Sequence, residues 1–206
     1  MSVLQLLYDH QCSLAGIREI LRYRHIQTHM HSERVVLMAD AFAKACALNP
    51  ADHKTLLYSA MFHDIGKIGI PDDILMFEGK LDEAQRTVMQ QHSTIGETIV
   101  TLMRLERGDE IALHVRHHHE HFDGSGYPDA LAGEAIPLLS RMLGILDSYD
   151  ALRETRPYRP ALDHTTSVVI MSKERGLKHD PELLDVFLNV NELEMIGEQY
   201  NEGNRK

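Results

Sequence analysis

The sequence predicts an all-α fold, a single helical domain of about seven to nine helices around a buried site. Apolar residues recur at helical spacing in almost every segment, and no convincing alternating strand is longer than four residues. The 206-residue chain is 43% hydrophobic and 25% charged, as is ordinary for a globular protein. Ten Met, no Trp and an aromatic fraction of 6% suit a helical core of flexible aliphatic side chains.

The first half of the chain contains three predicted helices. The segment before residue 25 is helical by pattern, and His31 is expected to begin a helix whose apolar stripe runs from Val35 to Cys46. Asn49-Pro50 has the N-cap and first-position residues of a third helix, which ends at His63-Asp64. The glycines and the proline that follow this pair predict a loop.

The second half continues the helical pattern. A capping box at Asp82 opens a helix toward His92, and Asp163 and Asp180 are N-caps of the last two helices. The other predicted elements are helices over about 93–105, 109–119 and 137–152 and a loop over 124–133.

We divide the chain into three parts on these patterns. Residues 1–30 form an N-terminal lead-in helix, which can also serve oligomerisation, and residues 31–190 form the main helical domain with the buried site. Residues 191–206 form a C-terminal helix and polar tail. So little chain precedes His31 that we expect either a stand-alone protein or a fragment.

Charge and cysteine content exclude several classes of protein. The formal net charge of −10 argues against a binder of DNA or RNA polymers, which needs a basic face. No apolar stretch is long enough to span a membrane, and no signal peptide is recognisable at the start. Two cysteines, Cys12 and Cys46, cannot form a disulfide framework, so we expect a reducing, cytoplasmic location.

The chain has fourteen His, and its most informative segments are His63-Asp64-Ile65-Gly66-Lys67 and the run from His118 to Pro128. Helical spacing places His31, His118 and Asp147 on apolar faces. Burying such groups without partners would cost several kcal/mol each, and a metal converts their lone pairs into ligands. Neutral imidazole and carboxylate are ligands of Zn, Mn and Fe, so the sequence predicts a metal-dependent hydrolase.

The residue types also indicate how such a site can work. A carboxylate such as Asp64 can span two ions about 3.5–4 Å apart, which together activate a water for attack on phosphorus. Lys67 would place an ammonium near the developing charge. Gly126 lets the backbone approach a ligand closely, and Tyr127 offers a ring for a base or a hydroxyl for a phosphate.

The two segments resemble a known family. His63-Asp64 is the signature of the HD superfamily of metal-dependent phosphohydrolases, and the run from His118 through Gly126-Tyr127-Pro128 resembles the motif of its HD-GYP branch, bacterial phosphodiesterases of cyclic di-GMP. The resemblance extends from about His31 to Phe187. It implies these metal ligands: His31, His63, Asp64, His92, His118, His119 and Asp147.

The resemblance also implies the reaction. Asp64 and Lys67 would be the catalytic residues, and Arg156 and Arg159 would bind phosphate, beside substrate contacts from Lys67, Gly126 and Tyr127. A hydroxide that bridges two divalent ions would attack a 3′–5′ phosphodiester and yield linear pGpG, or GMP in members that go further. The metals would be Fe or Mn, with Zn and Ni as alternatives.

One position departs from the family's pattern. Members with three metals have a Glu four residues before the first ligand His, where this chain has Gln27. An uncharged amide is a poor ligand for a hard cation, so we expect two metals, with pGpG as the end product if GMP formation needs the third.

Other substrates and functions stay open. The motif does not separate cyclic di-GMP from cyclic GMP-AMP, and a catalytically weak binding module or a di-iron oxygenase has similar ligands. A homodimer and a regulatory protein partner are both open.

Asp150 is expected to support a ligand, whereas His29, His114, His117 and His121 are expected on exposed helix faces and His179 in solvent.

Overall fold

The computed structural model describes residues 12–155 and 160–190. Within these ranges the chain forms nine α-helices of eight residues or more, one four-residue α-helix and two 3-10 helices, as predicted for the all-α class. The α-helices are α1 (Cys12–Arg24), α2 (Ile26–Ala45), α3 (Pro50–Phe62), α4 (Asp72–Leu75), α5 (Glu83–Gln90), α6 (His92–Leu102), α7 (Gly108–His117), α8 (Leu138–Arg153), α9 (His164–Lys173) and α10 (Pro181–Leu188).

The predicted start of α2 is wrong by about one turn. The helix begins at Ile26, not at His31, and His25 is its N-cap. The His25 ring accepts a hydrogen bond from the Thr28 backbone N–H at 3.3 Å. Histidine is not among the preferred N-cap residues, so no start signal is visible there. His31 therefore lies in the second turn of the helix.

Four predicted helix starts are confirmed. The side chains of Asn49, Asp82, Asp163 and Asp180 each accept a backbone N–H in the first turn of α3, α5, α9 and α10. The capping box at Asp82 is complete, because Gln85 returns a hydrogen bond to the Asp82 backbone. These caps satisfy N–H groups that would otherwise lack partners.

The loop predicted after His63-Asp64 is largely helical. A 3-10 helix, Ile65–Gly69, follows directly, and the short helix α4 comes after Pro71. The loop after His119 is present as predicted and ends in the second 3-10 helix, Gly133–Ala135.

The core lies where α2, α3, α7 and α8 pack together, with α10 closing one side. Phe187 of α10 makes edge-to-face contacts with Phe42 and Tyr149, each at a centroid distance of 5.3 Å. All three rings are buried. Aromatic pairs in this geometry add to the stabilisation from burial, so they fix α10 against α2 and α8.

The lead-in helix α1 packs on α2 and on the 3-10 helix. Arg18 pairs with Glu33 at 2.8 Å, and Arg24 donates to the Ile70 carbonyl at 2.7 Å. Helix α2 runs across the predicted boundary at residues 30/31, and the three-part division stays a prediction. Residues 1–11 and the predicted tail, 191–206, lie outside the described residues.

Among the described helices, none is both long and apolar enough to cross a membrane.

Candidate metal centre

The seven predicted ligands come from five places in the fold and converge in its interior. His31 lies on α2, His63-Asp64 at the end of α3, His92 at the start of α6, His118-His119 at the end of α7, and Asp147 on α8. Most of these side chains are almost completely buried. His119 and Asp147 are partly exposed, at 23% and 17% of the side chain, so the cluster opens to solvent on their side.

Three of the histidines have the same hydrogen-bond arrangement. The Nδ1 atoms of His63 and His92 each lie 2.8 Å from the carbonyl oxygen three residues earlier, and His118 Nδ1 lies 2.5 Å from the corresponding oxygen. A carbonyl only accepts, so Nδ1 carries the proton and Nε2 carries the lone pair in each neutral ring. These contacts fix the tautomer that presents Nε2 as a ligand atom.

The lone pairs face one another inside the protein. His31 Nε2 lies 3.0 Å from His63 Nε2, and His92 Nε2 lies 3.3 Å from His118 Nε2. His92 and His118 both present a lone pair at this distance, and two lone pairs repel unless a cation or a proton lies between them. The donor set of imidazole nitrogens and carboxylate oxygens is suited to Zn, Mn or Fe, so these residues fit a metal centre.

The ligand atoms form two groups, each within 4.8 Å: His31, His63 and Asp64 in one, and His92, His118 and His119 in the other. Asp64 faces both groups, because its Oδ2 lies 3.5 Å from His63 Nε2 and its Oδ1 lies 3.5 Å from His92 Nε2. This is the geometry of a carboxylate that can bridge two ions.

Asp147 is a second link between the two groups. Its Oδ1 lies 3.1 Å from His31 Nε2, and its Oδ2 lies 3.8 Å from His119 Nδ1. Two carboxylates that are far apart in the sequence thus connect the two sets of nitrogens: Asp64 directly after α3, and Asp147 on α8.

The electrostatics favour the ligand forms of these groups. Burial, together with the neighbouring imidazoles His63 and His92, lowers the pKa of His118 to about 3. Burial raises the pKa of the Asp64 carboxyl, but Lys67 and the surrounding histidines outweigh this, and the pKa lies well below its ordinary value. The imidazole is therefore neutral and the carboxylate ionised at neutral pH.

His31 differs from the other imidazoles. Burial lowers its pKa, but hydrogen bonds to Asp147 and Asp150 outweigh burial and raise the pKa to about 10. A proton therefore takes the place of a metal on this ring, and a metal that binds here must displace it.

Lys67 lies at the edge of the cluster. Its ammonium nitrogen is 2.6 Å from Asp64 Oδ2, and its side chain is 24% exposed while that of Asp64 is 3% exposed. The cation therefore lies between the buried carboxylate and the solvent.

A close backbone contact positions the two ligand groups, and the sequence analysis missed it. A Cβ on Gly66 would lie 1.9 Å from the His92 carbonyl oxygen and 2.6 Å from the Gly96 nitrogen. Only glycine allows the 3-10 helix after His63-Asp64 to rest directly on the backbone of α6. From the sequence alone, Gly66 indicates only a helix break, because the backbone that it contacts belongs to a different helix.

The loop after His119 folds back on its own start. A Cβ on Gly126 would lie 2.2 Å from the His121 nitrogen, and the Tyr127 N–H donates to the His119 carbonyl at 3.2 Å. The Tyr127 ring lies over the His119 ring at a centroid distance of 4.8 Å. Gly126 thus makes room for residues of its own chain, and substrate contact by Gly126 and Tyr127 stays a prediction.

Glu120 anchors the far side of this loop. Its two carboxylate oxygens accept the backbone N–H groups of Asp129 at 2.7 Å and Leu131 at 3.0 Å. His117, Glu120 and Asp129 also form a cluster of potential ligand atoms. Arg116 binds both oxygens of Asp129, so these groups already have partners and hold the loop in place.

Four histidines expected at the surface are buried. His29, His114, His117 and His179 have exposed fractions between 2% and 7%. Each has a partner that offsets its burial: for example, His114 Nδ1 lies 3.1 Å from Ser140 Oγ, and His179 Nε2 lies 3.1 Å from Glu174 Oε2. The expectation was wrong because periodicity within one helix does not show which neighbouring helix covers a face.

Other predicted residues lie away from the cluster or outside the described ranges. Asp150 is 2.6 Å from His31 Nδ1, in the supporting place predicted for it, and it also binds Arg34, which the sequence analysis did not identify. Gln27 is exposed. Arg156 and Arg159, the predicted phosphate-binding pair, lie outside the described residues.

Comparison with known proteins agrees with this geometry. The family model described as "HD domain" matches residues 17–183. The chain is 35% identical over 193 residues to the cyclic di-GMP phosphodiesterase response regulator RpfG of Xanthomonas campestris pv. campestris, covering 92% of this chain and 50% of that protein. It is 36% identical over 172 residues to the 3′3′-cGAMP-specific phosphodiesterase 3 of Vibrio cholerae, covering 84% of this chain and 37% of that protein.

The fold also has a solved counterpart. A structure described as Bd1817, a HDG"Y"P protein from Bdellovibrio bacteriovorus, superposes with a TM-score of 0.63 at 18% identity over 79% of this chain and 51% of that one. At this identity the likeness concerns the fold alone. The chain spans half or less of the length of the two curated relatives.

Proposed function

The chain belongs to the HD-GYP branch of the HD domain family, and from this premise we propose that it is a metal-dependent phosphodiesterase that hydrolyses cyclic di-GMP. One observation carries the proposal. Two groups of buried nitrogen ligands face each other, and the carboxylate of Asp64 presents one oxygen to each of them.

Each group of ligands would hold one divalent ion. His31 and His63 would serve one ion, and His92, His118 and His119 the other, with Asp64 between them and Asp147 beside His31 and His119. When bound, such ions supply Lewis acidity, which lowers the pKa of water and offsets negative charge on phosphate oxygens. Fe or Mn fits this donor set best, with Zn and Ni as alternatives.

The open side of the cluster is where a phosphodiester would enter. His119, Asp147 and Lys67 are the partly exposed members, whereas His63 and His118 are closed off by protein. The Lys67 ammonium would offset charge that develops on the phosphate. Arg156 and Arg159 remain the proposed partners of the second phosphate, because the guanidinium fork matches phosphate geometry.

Tyr127 would act beside this opening. Its ring covers His119, so it keeps that imidazole in place and offers its other face to a nucleobase. Gln27 in place of a Glu supports two ions and linear pGpG as the end product.

A second candidate substrate is cyclic GMP-AMP, and the named activity of the Vibrio cholerae relative supports it. The discriminating experiment is a side-by-side assay of both cyclic dinucleotides with anaerobically Fe(II)- or Mn(II)-loaded protein, with products separated by chromatography. We expect faster hydrolysis of cyclic di-GMP. Faster hydrolysis of cyclic GMP-AMP would reassign the substrate, and no hydrolysis of either would favour a binding module.

Two further proposals, on the location of the protein and on its regulation, rest on the sequence. The cytoplasm is the proposed location, since the two cysteines fit a reducing compartment. A homodimer or a regulatory protein partner is proposed as the source of control, and size-exclusion chromatography with light scattering tests the dimer.

A further inference from the structure

Arg34 connects a predicted metal ligand to the end of helix α8. It lies on α2 one turn after His31, so the two side chains leave the same side of the helix. Arg34 Nε donates to Asp150 Oδ1 at 2.8 Å, and Arg34 Nη2 donates to Asp150 Oδ2 at 2.7 Å. Nη2 also donates to Glu154 Oε1 at 2.8 Å.

The carboxylate that Arg34 grips is the one that supports His31. Asp150 Oδ2 accepts a hydrogen bond from His31 Nδ1 at 2.6 Å, and the Asp150 side chain is only 5% exposed. A two-point contact from a planar guanidinium fixes the plane of the carboxylate, which a single contact cannot do. The plane of the carboxylate in turn fixes the direction in which the His31 ring points.

The charge balance supports the same arrangement. Burial raises the pKa of the Asp150 carboxyl, but hydrogen bonds from His31 and Arg34 outweigh burial and hold this pKa below its ordinary value. Asp150 is thus an ionised, buried hydrogen-bond acceptor, and its two partners, His31 and Arg34, both donate to it.

We propose that Arg34 is a positioning residue of the metal centre: it holds Asp150 so that Asp150 aims His31 Nε2 at the ion, and it thereby strengthens metal binding on the His31 side. The inference rests on the proposed function, because it presupposes that His31 binds a metal. It adds a residue that touches neither metal nor substrate.

The contact with Glu154 suggests a simpler role, in which Arg34 only ties α2 to the end of α8. The two roles predict different effects when one of the two carboxylates is removed. If Arg34 only holds the two helices together (a helix tie), its effect depends on its contacts with both Asp150 and Glu154. If it positions His31, its effect depends on the contact with Asp150 alone. Glu154 is 24% exposed and does not contact His31, so its removal leaves the grip on Asp150 intact.

The test is the dissociation constant for Mn(II) of metal-free protein, measured by titration without substrate, together with the unfolding temperature of each metal-free variant. Supporting residues around metal ligands are typically worth 10–100-fold in metal affinity. We expect Arg34→Gln to weaken Mn(II) binding by about 10-fold or more on this basis. Arg34→Lys, which retains the charge but not the fork, should lie between Arg34→Gln and the unchanged protein, and Glu154→Ala should bind Mn(II) like the unchanged protein.

Two results would overturn the proposal. One is Mn(II) binding by Arg34→Gln or Arg34→Lys as tight as in the unchanged protein. The other is a loss in Glu154→Ala as large as in Arg34→Gln, which would make Arg34 a helix tie. If Arg34→Gln fails to fold, Arg34→Lys and Glu154→Ala still decide. Failure of the unchanged protein to bind Mn(II), Fe(II) or Zn(II) would instead overturn the metal centre itself.

Discussion

The Lys67 ammonium lies 2.6 Å from Asp64 Oδ2, the same oxygen that faces His63. The cation therefore neutralises a carboxylate that is buried among imidazoles, and it does so from the solvent side. This relationship gives Lys67 two tasks: it keeps Asp64 ionised for metal binding, and it leaves a positive charge at the opening of the site.

Lys67→Met should lower kcat for cyclic dinucleotide hydrolysis by about 100–1,000-fold, since removal of one preorganised contact to developing charge costs on the order of 2.7–4 kcal/mol. Metal content should fall less, because His63 and His92 also lower the pKa of Asp64. Steady-state kinetics and elemental analysis measure the two effects. Lys54→Met is the matched control, because Lys54 makes an exposed ion pair with Glu106 away from the cluster. Equal kcat in Lys67→Met and Lys54→Met would contradict this role.

Gly66→Ala should disrupt the centre without touching a ligand. The added Cβ would lie 1.9 Å from the His92 carbonyl oxygen, a backbone atom that cannot rotate away. Forced overpacking typically costs about 1–3 kcal/mol, and here it would also separate His63-Asp64 from His92. Chemical denaturation and metal titration measure both losses. Gly16→Ala is the control, since its Cβ would meet nothing within 4 Å; unchanged metal affinity in Gly66→Ala would rule out the close contact.

His114 should make metal-free protein sensitive to acid. Burial lowers its pKa from 6.5 to about 4, so the unfolded state binds a proton before the folded state does. Its contribution to stability is complete above pH 6.5 and is lost as the pH falls toward 4, by up to roughly 3 kcal/mol at 1.36 kcal/mol per pKa unit. His114→Gln cannot take up the proton. Urea unfolding at pH 7.5 and 4.5 should show a smaller drop for His114→Gln, and parallel drops would disprove the assignment.

Gln27→Glu should raise the number of metal ions bound per chain from two toward three. Glu supplies the charged oxygen that a hard cation prefers, and Gln27 lies on α2 one turn before His31. Elemental analysis after reconstitution with Mn(II) counts the ions, and chromatography shows whether GMP accumulates. A third ion already present in the unchanged protein would refute the two-metal proposal.

The helix starts were largely predictable because their signals are local, whereas the full set of seven ligands is implied by the resemblance to the HD-GYP family. Capping side chains such as Asn49 and Asp82 mark helix starts within four residues of sequence, and the His-Asp pair lies at a predicted helix end. The start of α2 was not predicted because its N-cap is His25, and histidine is not a usual N-cap residue.

What the sequence did not predict depends on contacts between distant segments. Gly66 matters because of the backbone of α6, and Arg34 because of Asp150, which lies 116 residues later. His114 and His179 are buried by helices that their own periodicity does not reveal. A single sequence does not show which of its distant segments come into contact in the fold.

The most direct measurement is hydrolysis of cyclic di-GMP by protein reconstituted anaerobically with Fe(II) or Mn(II), beside an Asp64→Ala variant prepared in the same way. We predict metal-dependent formation of linear pGpG by the unchanged protein and none by Asp64→Ala, because that variant lacks the only carboxylate among the described residues that faces both His63 and His92. Fully metallated protein that leaves cyclic di-GMP intact, or an Asp64→Ala variant that cleaves it at the same rate, would contradict the account.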